Sequence, residues 1–329
     1  MSQKVRARIS GTGSYIPPHR MTNADFEKIV DTSDEWIITR TGIKERRILN
    51  GSMAGSDMAV IAAKRAMEAA NCTPEEIDLV ITGTVTPDYR LPSNACVIQE
   101  KMGLTNAVAF DVVAACTGFI NGLTVASSFI ETGRYHKALV IGSEALSSIT
   151  NYDDRSTCVL FGDAAGAVIL EPSTNGSGLI SSFMKSDGRY RELLWMPTGG
   201  SKNPYTPGFD FDGTDKIYMA GADVFKVAVK EMANAAEQVI ARGGITPQDI
   251  ALVIPHQANI RIIDALARRL KIDMDRVFVN IEFYGNTSAA SVPLALDEAN
   301  RAGRIKHGDH ILMVAFGGGL IWGAALIKW

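Results

Sequence analysis

"VVAACTGFINGL", residues 112–123, sets a lone cysteine, Cys116, between a β-branched apolar run and a run with helical spacing. Two readings are open here. Cysteine is a common small core residue, and the flanking alanines suit that role. A cysteine at the first turn of a helix is also a candidate nucleophile. The free N–H groups and positive dipole end favour thiolate, which predicts a pKa drawn down toward neutrality. Gly118 and Gly122 keep the first turns narrow enough for another backbone or a substrate to come close.

Outward from this stretch, β-branched runs at 108–113, 138–143, 252–256, 276–281 and 311–316 alternate with helical patterns at 57–70, 117–133, 222–242 and 287–302. That alternation predicts an α/β fold with buried, mostly parallel sheets. The order also repeats. "CTPEEIDLVI" (72–81) matches "ITPQDIALVI" (245–254). "ACTGF" (115–119) and "ETGRYHK" (131–137) align with "GNTSA" (285–289) and "RAGRIKH" (301–307) at an offset of 170 residues. Asn286 then occupies the equivalent of Cys116, and two similar halves would let the two helix starts face one another. The chain turns polar and glycine-rich from Ser173 to Ser182, which divides it into halves 1–172 and 173–329. Residues 199–215 read as a long surface excursion.

Composition narrows the function classes. With 46% hydrophobic and 21% charged residues the chain is globular, and a net charge of −3 gives a nucleic-acid partner no electrostatic support. Cys72, Cys96, Cys116 and Cys158 are widely spaced with no CxxC. They argue against a disulfide scaffold or a cysteine-rich zinc site and suit free thiols in a reducing cytoplasm. The opening MSQKVRARIS has no apolar stretch behind it, so a secretory signal is not expected. Residues 311–327 carry no charge, but Gly317, Gly318 and Gly319 interrupt them. Two buried strands joined by a glycine turn are expected, and not a membrane helix. No metal motif is present, and "GTGSYI" (11–16) lacks the third glycine of a dinucleotide fingerprint.

Three further signals bear on Cys116. His256, in "VIPHQANIRII", follows a buried run, and strand C-termini are where α/β sheets place ligands. Asn286, in "FYGNTSAAS", is either an N-cap or a functional carboxamide. "AFGGGLIWG" is either a tight hairpin or a backbone oxyanion hole, since glycines let N–H groups point into a site unobstructed. Cys, His and Asn in this order serve two chemistries. In papain-like peptide hydrolysis, asparagine orients a histidine base. In carbon–carbon condensation on thioesters, both donate hydrogen bonds to an enolate oxygen. The C-G-[SA]-C-[WY] signature of the first is absent.

"DVVAACTGF", "HQANIRI", "YGNTSAAS", "FGDAAGA" and "FGGGLIWGAAL", with "GTGSYIP" and "TSDEWIITRTGIKERR" near the start, resemble the β-ketoacyl-acyl-carrier-protein synthase III family in order along the chain. The resemblance implies the thiolase fold, a duplicated five-layer αβαβα architecture with two mixed sheets. It implies an acyltransferase that condenses a short acyl-CoA with malonyl on acyl carrier protein and begins type II fatty acid synthesis, without a cofactor. A polyketide or other secondary-metabolite starter enzyme is the alternative. Cys116 would be the nucleophile, and His256 and Asn286 the enolate clamp. Cys116 and Gly318 would supply oxyanion-hole N–H groups, and Phe316 would gate the site. Trp36, Arg40, Arg155, Phe225 and Asn259 fall where CoA is held. Lys226, Arg261, Arg268 and Arg269 would dock the acidic carrier. Family members are homodimers, and Leu91 lies on a loop expected to close the partner's pocket.

Overall fold

Two sheets form from the β-branched runs of a chain that the computed structural model describes over residues 5–329. In the first, strands stand in the order Arg6–Tyr15, Asp163–Ser173, Ala138–Ala145, Leu79–Gly83, Val108–Val112. In the second the order is Ile250–Pro255, His310–Gly317, Ile321–Lys328, Gly178–Ser186. The sheets are mixed where the sequence pattern suggested mostly parallel pairing. Leu79–Gly83 is parallel to both its neighbours, whereas Asp163–Ser173 is antiparallel to both of its own. In the second sheet His310–Gly317 returns through a three-residue turn to Ile321–Lys328, and so short a connection permits only an antiparallel pair. This hairpin is the uncharged C-terminal segment. Among the described residues no helix is long and apolar enough to cross a membrane.

Alternation along the strands sorts five layers. Leu79, Ile81 and Val140 of the first sheet, and Leu252, Ile254 and Met313 of the second, share one core. The helices Gly118–Glu131 and Ser291–Arg301 fill it through Phe119, Leu123, Val292 and Leu296. The alternate residues Val80, Leu139 and Ile141 face outward onto helix Gly55–Ala70. Val253, Leu312 and Val314 do the same onto helices Gly221–Gly243 and Ile260–Leu270. The result is an αβαβα sandwich, the thiolase fold.

The internal likeness extends to single hydrogen bonds. Thr73 N donates to Glu76 Oε2 at 2.7 Å ahead of strand Leu79–Gly83, and Thr246 N donates to Asp249 Oδ2 at 2.8 Å ahead of strand Ile250–Pro255. One predicted strand does not form. Residues 276–281 make a single bridge, Val253 to Val277, because Gln257 intercepts the backbone beyond it. Its amide donates to Phe278 O at 3.1 Å and its carbonyl accepts Asn280 N at 3.1 Å.

Candidate active site

Cys116 follows strand Val108–Val112 on the 3-10 turn Ala115–Thr117, which runs into helix Gly118–Glu131. Asn286 precedes the turn Ser288–Ala290 and helix Ser291–Arg301. The residue before each is left-handed, Ala115 at φ 44° and Gly285 at φ 65°. That conformation costs Ala115 about 1–3 kcal/mol, strain of the kind that gathers at functional sites. The elbow aims each side chain away from its helix.

Two glycines bring these elbows together. A Cβ on Gly142 would lie 2.2 Å from Ala289 O, so only glycine lets strand Ala138–Ala145 touch the Asn286 elbow. A Cβ on Gly317 would lie 2.7 Å from Cys116 N and 3.1 Å from Cys116 Cβ. The C-terminal glycine turn is therefore seated against the backbone of the thiol residue. The tightest approach comes from Gly317, one residue before the expected Gly318, while Gly318 lines the adjoining cavity.

That cavity, of about 970 Å³, is lined at once by Cys116, His256, Asn286, Phe316 and Gly318. All but Gly318 are buried. Trp36, Arg40, Phe225, Asn259, Arg261 and Lys226 also line it, and the exposed arginines and lysine among them mark its mouth. The sequence-predicted residues thus converge, with exceptions. Arg155 lies over the Trp36 ring at 5.0 Å, its Nη1 donates to Asp31 O at 2.8 Å, and it does not line the cavity. Arg268 is paired with Asp264 at 2.5 Å and Arg269 with Glu237 at 3.4 Å, both outside the cavity. Lys226 is paired with Asp223 at 3.1 Å. Among the described residues Arg261 makes no salt bridge and lies over the Phe225 ring at 5.6 Å. Leu91 is 87% exposed and outside the cavity of its own chain.

Hydrogen bonds fix the polar groups. Asn286 Oδ1 accepts Ser288 N at 2.9 Å, which leaves Nδ2 to donate into the cavity. The capping and functional readings of Asn286 are therefore compatible, since each uses a different amide atom. His256 Nδ1 is 2.6 Å from Ser291 Oγ. Asn259 caps helix Ile260–Leu270 through Arg261 N, and its Nδ2 donates to Arg40 O at 2.9 Å, tying two helices at the mouth.

Burial corrects the thiolate expectation. It pushes the Cys116 thiol up to about 12, with the Glu144 charge adding to the rise and the Ser288 side chain opposing it. A helix end contributes at most about 2 kcal/mol, roughly one and a half pKa units, and desolvation is the larger effect. Burial also lowers His256 to about 3. At neutral pH the resting site holds a neutral thiol and a neutral imidazole, so its donors carry no charge.

Sequence reasoning missed Glu144, Ser288 and Ser291, and within the glycine turn it singled out Gly318 where Gly317 makes the closest approach to Cys116. Glu144 was signalled by a lone carboxylate ending an otherwise uncharged strand, Ala138–Ala145. Among the described residues no group of three His, Cys, Asp or Glu side chains is placed to hold a metal.

An αβαβα sandwich with a thiol on a helix elbow, facing a carboxamide on the matching elbow, defines a thiolase-fold acyltransferase. Comparison with known proteins narrows the class. The 3-oxoacyl-[acyl-carrier-protein (ACP)] synthase III family model matches residues 110–188, and that of the synthase III C-terminal region residues 240–329. A β-ketoacyl-[acyl-carrier-protein] synthase III of Caldanaerobacter subterraneus is 54% identical over 329 residues, covering 100% of this chain and 99% of that protein. The crystal structure of 3-oxoacyl-[acyl-carrier-protein] synthase III from Aquifex aeolicus superposes with a TM-score of 0.92 at 49% identity, covering 98% of this chain and 100% of that one. That of a priming β-ketosynthase of a polyketide pathway gives 0.91 at 36%, covering 99% and 97%. The chain belongs to the β-ketoacyl-[acyl-carrier-protein] synthase III family.

Proposed function

We propose that this protein moves the acyl group of a short acyl-CoA onto Cys116 and condenses it with malonyl on acyl carrier protein, giving 3-oxoacyl-carrier and beginning type II fatty acid synthesis. Cys116 attacks the thioester carbonyl while its own N–H and that of Gly318 hold the oxyanion. Malonyl then loses carbon dioxide, and its enolate oxygen is held by His256 and Asn286. In the tautomer in which the Ser291 hydroxyl donates to His256 Nδ1, Nε2–H is the imidazole donor. The observation that carries this reading is the Asn286 amide, whose oxygen is occupied by Ser288 N. It presents a donor where papain-like chemistry needs an acceptor to orient a base. Fixed neutral donors stabilise a developing enolate without protonating it. Because a thiol and a decarboxylation supply the chemistry, no cofactor is required.

Trp36 and Arg40 hold the CoA adenine and phosphates at the mouth, with Arg155 stacked behind Trp36, and Phe225 and Asn259 flank the pantetheine arm. Phe316 covers the malonyl carboxylate. Arg261 leads carrier docking, with Lys226, Arg268 and Arg269 as its surround. The halves 1–172 and 173–329 act as two domains sharing the central helix layer. The protein is a homodimer built on the edge strand Val108–Val112. Val108 on it is 49% exposed and Val113 just past its end 80%, and an open apolar edge invites a second chain. Leu91 then reaches the partner's acyl pocket. Four free cysteines suit a cytoplasmic location.

Mass spectrometry after mixing with acyl-CoA, then with malonyl-carrier, tests the reading. An acyl adduct on Cys116 that is converted to 3-oxoacyl-carrier is expected, and an adduct elsewhere, or none, refutes it. The structural likeness to a priming β-ketosynthase favours one second reading, a starter step in polyketide synthesis. The extender separates the two readings, because turnover with malonyl-CoA in place of malonyl-carrier would point away from fatty acid initiation.

A further inference from the structure

A second, smaller cavity of about 350 Å³ lies on the outer face of the C-terminal sheet. Strand Gly178–Ser186 gives it Lys185, and strand Ile321–Lys328 gives it Trp322, which stands opposite Lys185 in antiparallel register. Directly opposed residues project to one face, so both side chains turn toward helix Gly221–Gly243. Lys226 and Lys230, one turn apart on that helix, form the facing wall. The turn Gly188–Leu193 brings in Arg189. It is fixed there because Asp187 and Leu320 exchange backbone hydrogen bonds at 2.9 and 3.2 Å.

Four cations thus face two carboxylates, Asp187 and Glu231, and both carboxylates are already engaged. Arg189 holds Asp187 through Nε at 2.9 Å and Nη2 at 2.5 Å, and Lys230 Nζ lies 3.3 Å from Glu231. Lys226 leans on Asp223 at 3.1 Å, and among the described residues Lys185 makes no salt bridge. Trp322 is 3% exposed, and its indole N–H has no acceptor among the described residues. A buried donor without an acceptor is destabilising. The cavity over Trp322 is where a ligand can bring one. Excess positive charge selects an anion, lysines receive phosphate as point charges, and a recess of this size takes a small molecule.

We propose that this cavity is a second binding site, for a small oxyanion of the phosphate monoester class, and that filling it opposes carrier docking. Lys185 and Lys230 would grip the phosphate from the two walls, above Trp322. Lys226 lines this cavity and the mouth of the catalytic one alike, so a bound anion offsets a charge the carrier meets. Carrier at the mouth weakens the anion by the same factor. The effect on the carrier rests on the docking role proposed above for Lys226, whereas the binding does not. An acidic side chain of the carrier offers similar oxygens to a free anion, and the test separates the two.

The probe is inorganic phosphate, with sodium chloride at equal ionic strength as the control. The indole N–H signals of isotope-labelled protein are followed by nuclear magnetic resonance, with Trp322 identified by its loss in Trp322→Phe. The Trp322 signal is expected to shift and saturate with phosphate and not with chloride. Lys185→Ala and Lys230→Ala should each weaken that binding about fivefold, the upper worth of one exposed charge pair, with acylation of Cys116 unchanged. Phosphate that half-fills the site should raise KM for malonyl-carrier by up to about twofold beyond the chloride control, and this excess should shrink about fivefold in Lys230→Ala. A Trp322 signal that stays still, or moves equally with chloride, overturns the site. A shift confined to Trp36 also overturns it, by assigning phosphate to the CoA end of the catalytic cavity. A KM that responds no more to phosphate than to chloride overturns the effect on the carrier. A KM already raised in Lys230→Ala without phosphate overturns the free anion, since the carrier's own acidic side chains then use the cavity. A wild type that does not turn over malonyl-carrier defeats the function proposed above, and the indole titration still decides the site.

Discussion

Asn286 Oδ1 accepts the backbone N–H of Ser288 at 2.9 Å, and this single bond decides what the carboxamide can do. With the oxygen held two residues along its own chain, the nitrogen, which can only donate, is the amide atom left to the cavity. The nitrogen faces a buried cavity, where a hydrogen bond to developing charge is stronger than in water.

Removing that donor should separate the half-reactions. In Asn286→Ala, acylation by acyl-CoA proceeds near the wild-type rate, since no enolate forms in that step. Condensation falls by about 10²–10³, the usual cost of one oxyanion donor. Rapid-quench measurement of acyl-enzyme, followed by product release on adding malonyl-carrier, reads both steps. Equal losses in the two steps would deny Asn286 this role.

Gly317 supplies a second test, because its constraint is steric. The Cβ of alanine would stand 2.7 Å from Cys116 N, so the turn or the nucleophile elbow must move. Overpacking of this kind costs about 1–3 kcal/mol. Gly317→Ala should lower the melting temperature by several degrees and slow acylation by at least about tenfold as the Cys116 N–H is displaced. Gly188→Ala, where a Cβ meets nothing within 4 Å, is the control and should change neither. Unaltered acylation in Gly317→Ala would separate the glycine turn from the oxyanion hole.

Much of this was legible in the sequence because it depends on local pattern. The β-branched runs, the glycine turn at 317–319 and the Cys116–Asn286 equivalence each need only neighbouring residues or a fixed offset to be seen. What stayed hidden depends on the third dimension. The thiol was expected to ionise because its helix end is visible in the sequence, whereas the desolvation that overrides it comes from strands far along the chain. Glu144 could be read as an anomaly but not as a group whose charge the Cys116 thiol feels, since the two lie 28 residues apart at the ends of different strands. Residues 276–281 have strand composition, yet the Gln257 side chain takes the backbone groups a strand would use. The four cations expected to dock the carrier looked alike in sequence, and only the ion pairs of Arg268, Arg269 and Lys226 set Arg261 apart.

That difference among the cations makes a prediction about the carrier. Arg268 already faces Asp264 at 2.5 Å, and exposed pairs of this kind are worth about 0–1 kcal/mol. Among the described residues Arg261, at the cavity mouth, makes no salt bridge. Arg261→Glu should raise KM for malonyl-carrier about tenfold at low salt, with the difference shrinking as salt screens the charges. Arg268→Glu should have the smaller effect. Steady-state kinetics at two ionic strengths decides it, and an Arg261→Glu enzyme with unchanged KM would remove this face from docking.

The buried pair His256 and Glu144 has opposite consequences for stability against pH. His256 is lowered to about 3 from an ordinary value near 6.5. Below pH 6.5 the unfolded chain binds a proton that the folded chain refuses, so stability is lost as pH falls from 6.5 toward 3. Glu144 is raised to about 7 from an ordinary value near 4.5. Between pH 4.5 and 7 the folded chain holds a proton that the unfolded chain has released, so stability is lost as pH rises through that window. Between pH 4.5 and 6.5 the two slopes oppose one another and largely cancel in the wild type. Single substitutions expose them. His256→Gln should gain stability relative to wild type at pH 5 compared with pH 8, because a group that resists protonation is gone. Glu144→Gln should gain at pH 8 compared with pH 5, because a carboxylate that resists burial is gone. Thermal unfolding of the three proteins at the two pH values measures the crossing. Differences of the same sign in both variants would mean that one of these groups does not titrate as its burial requires.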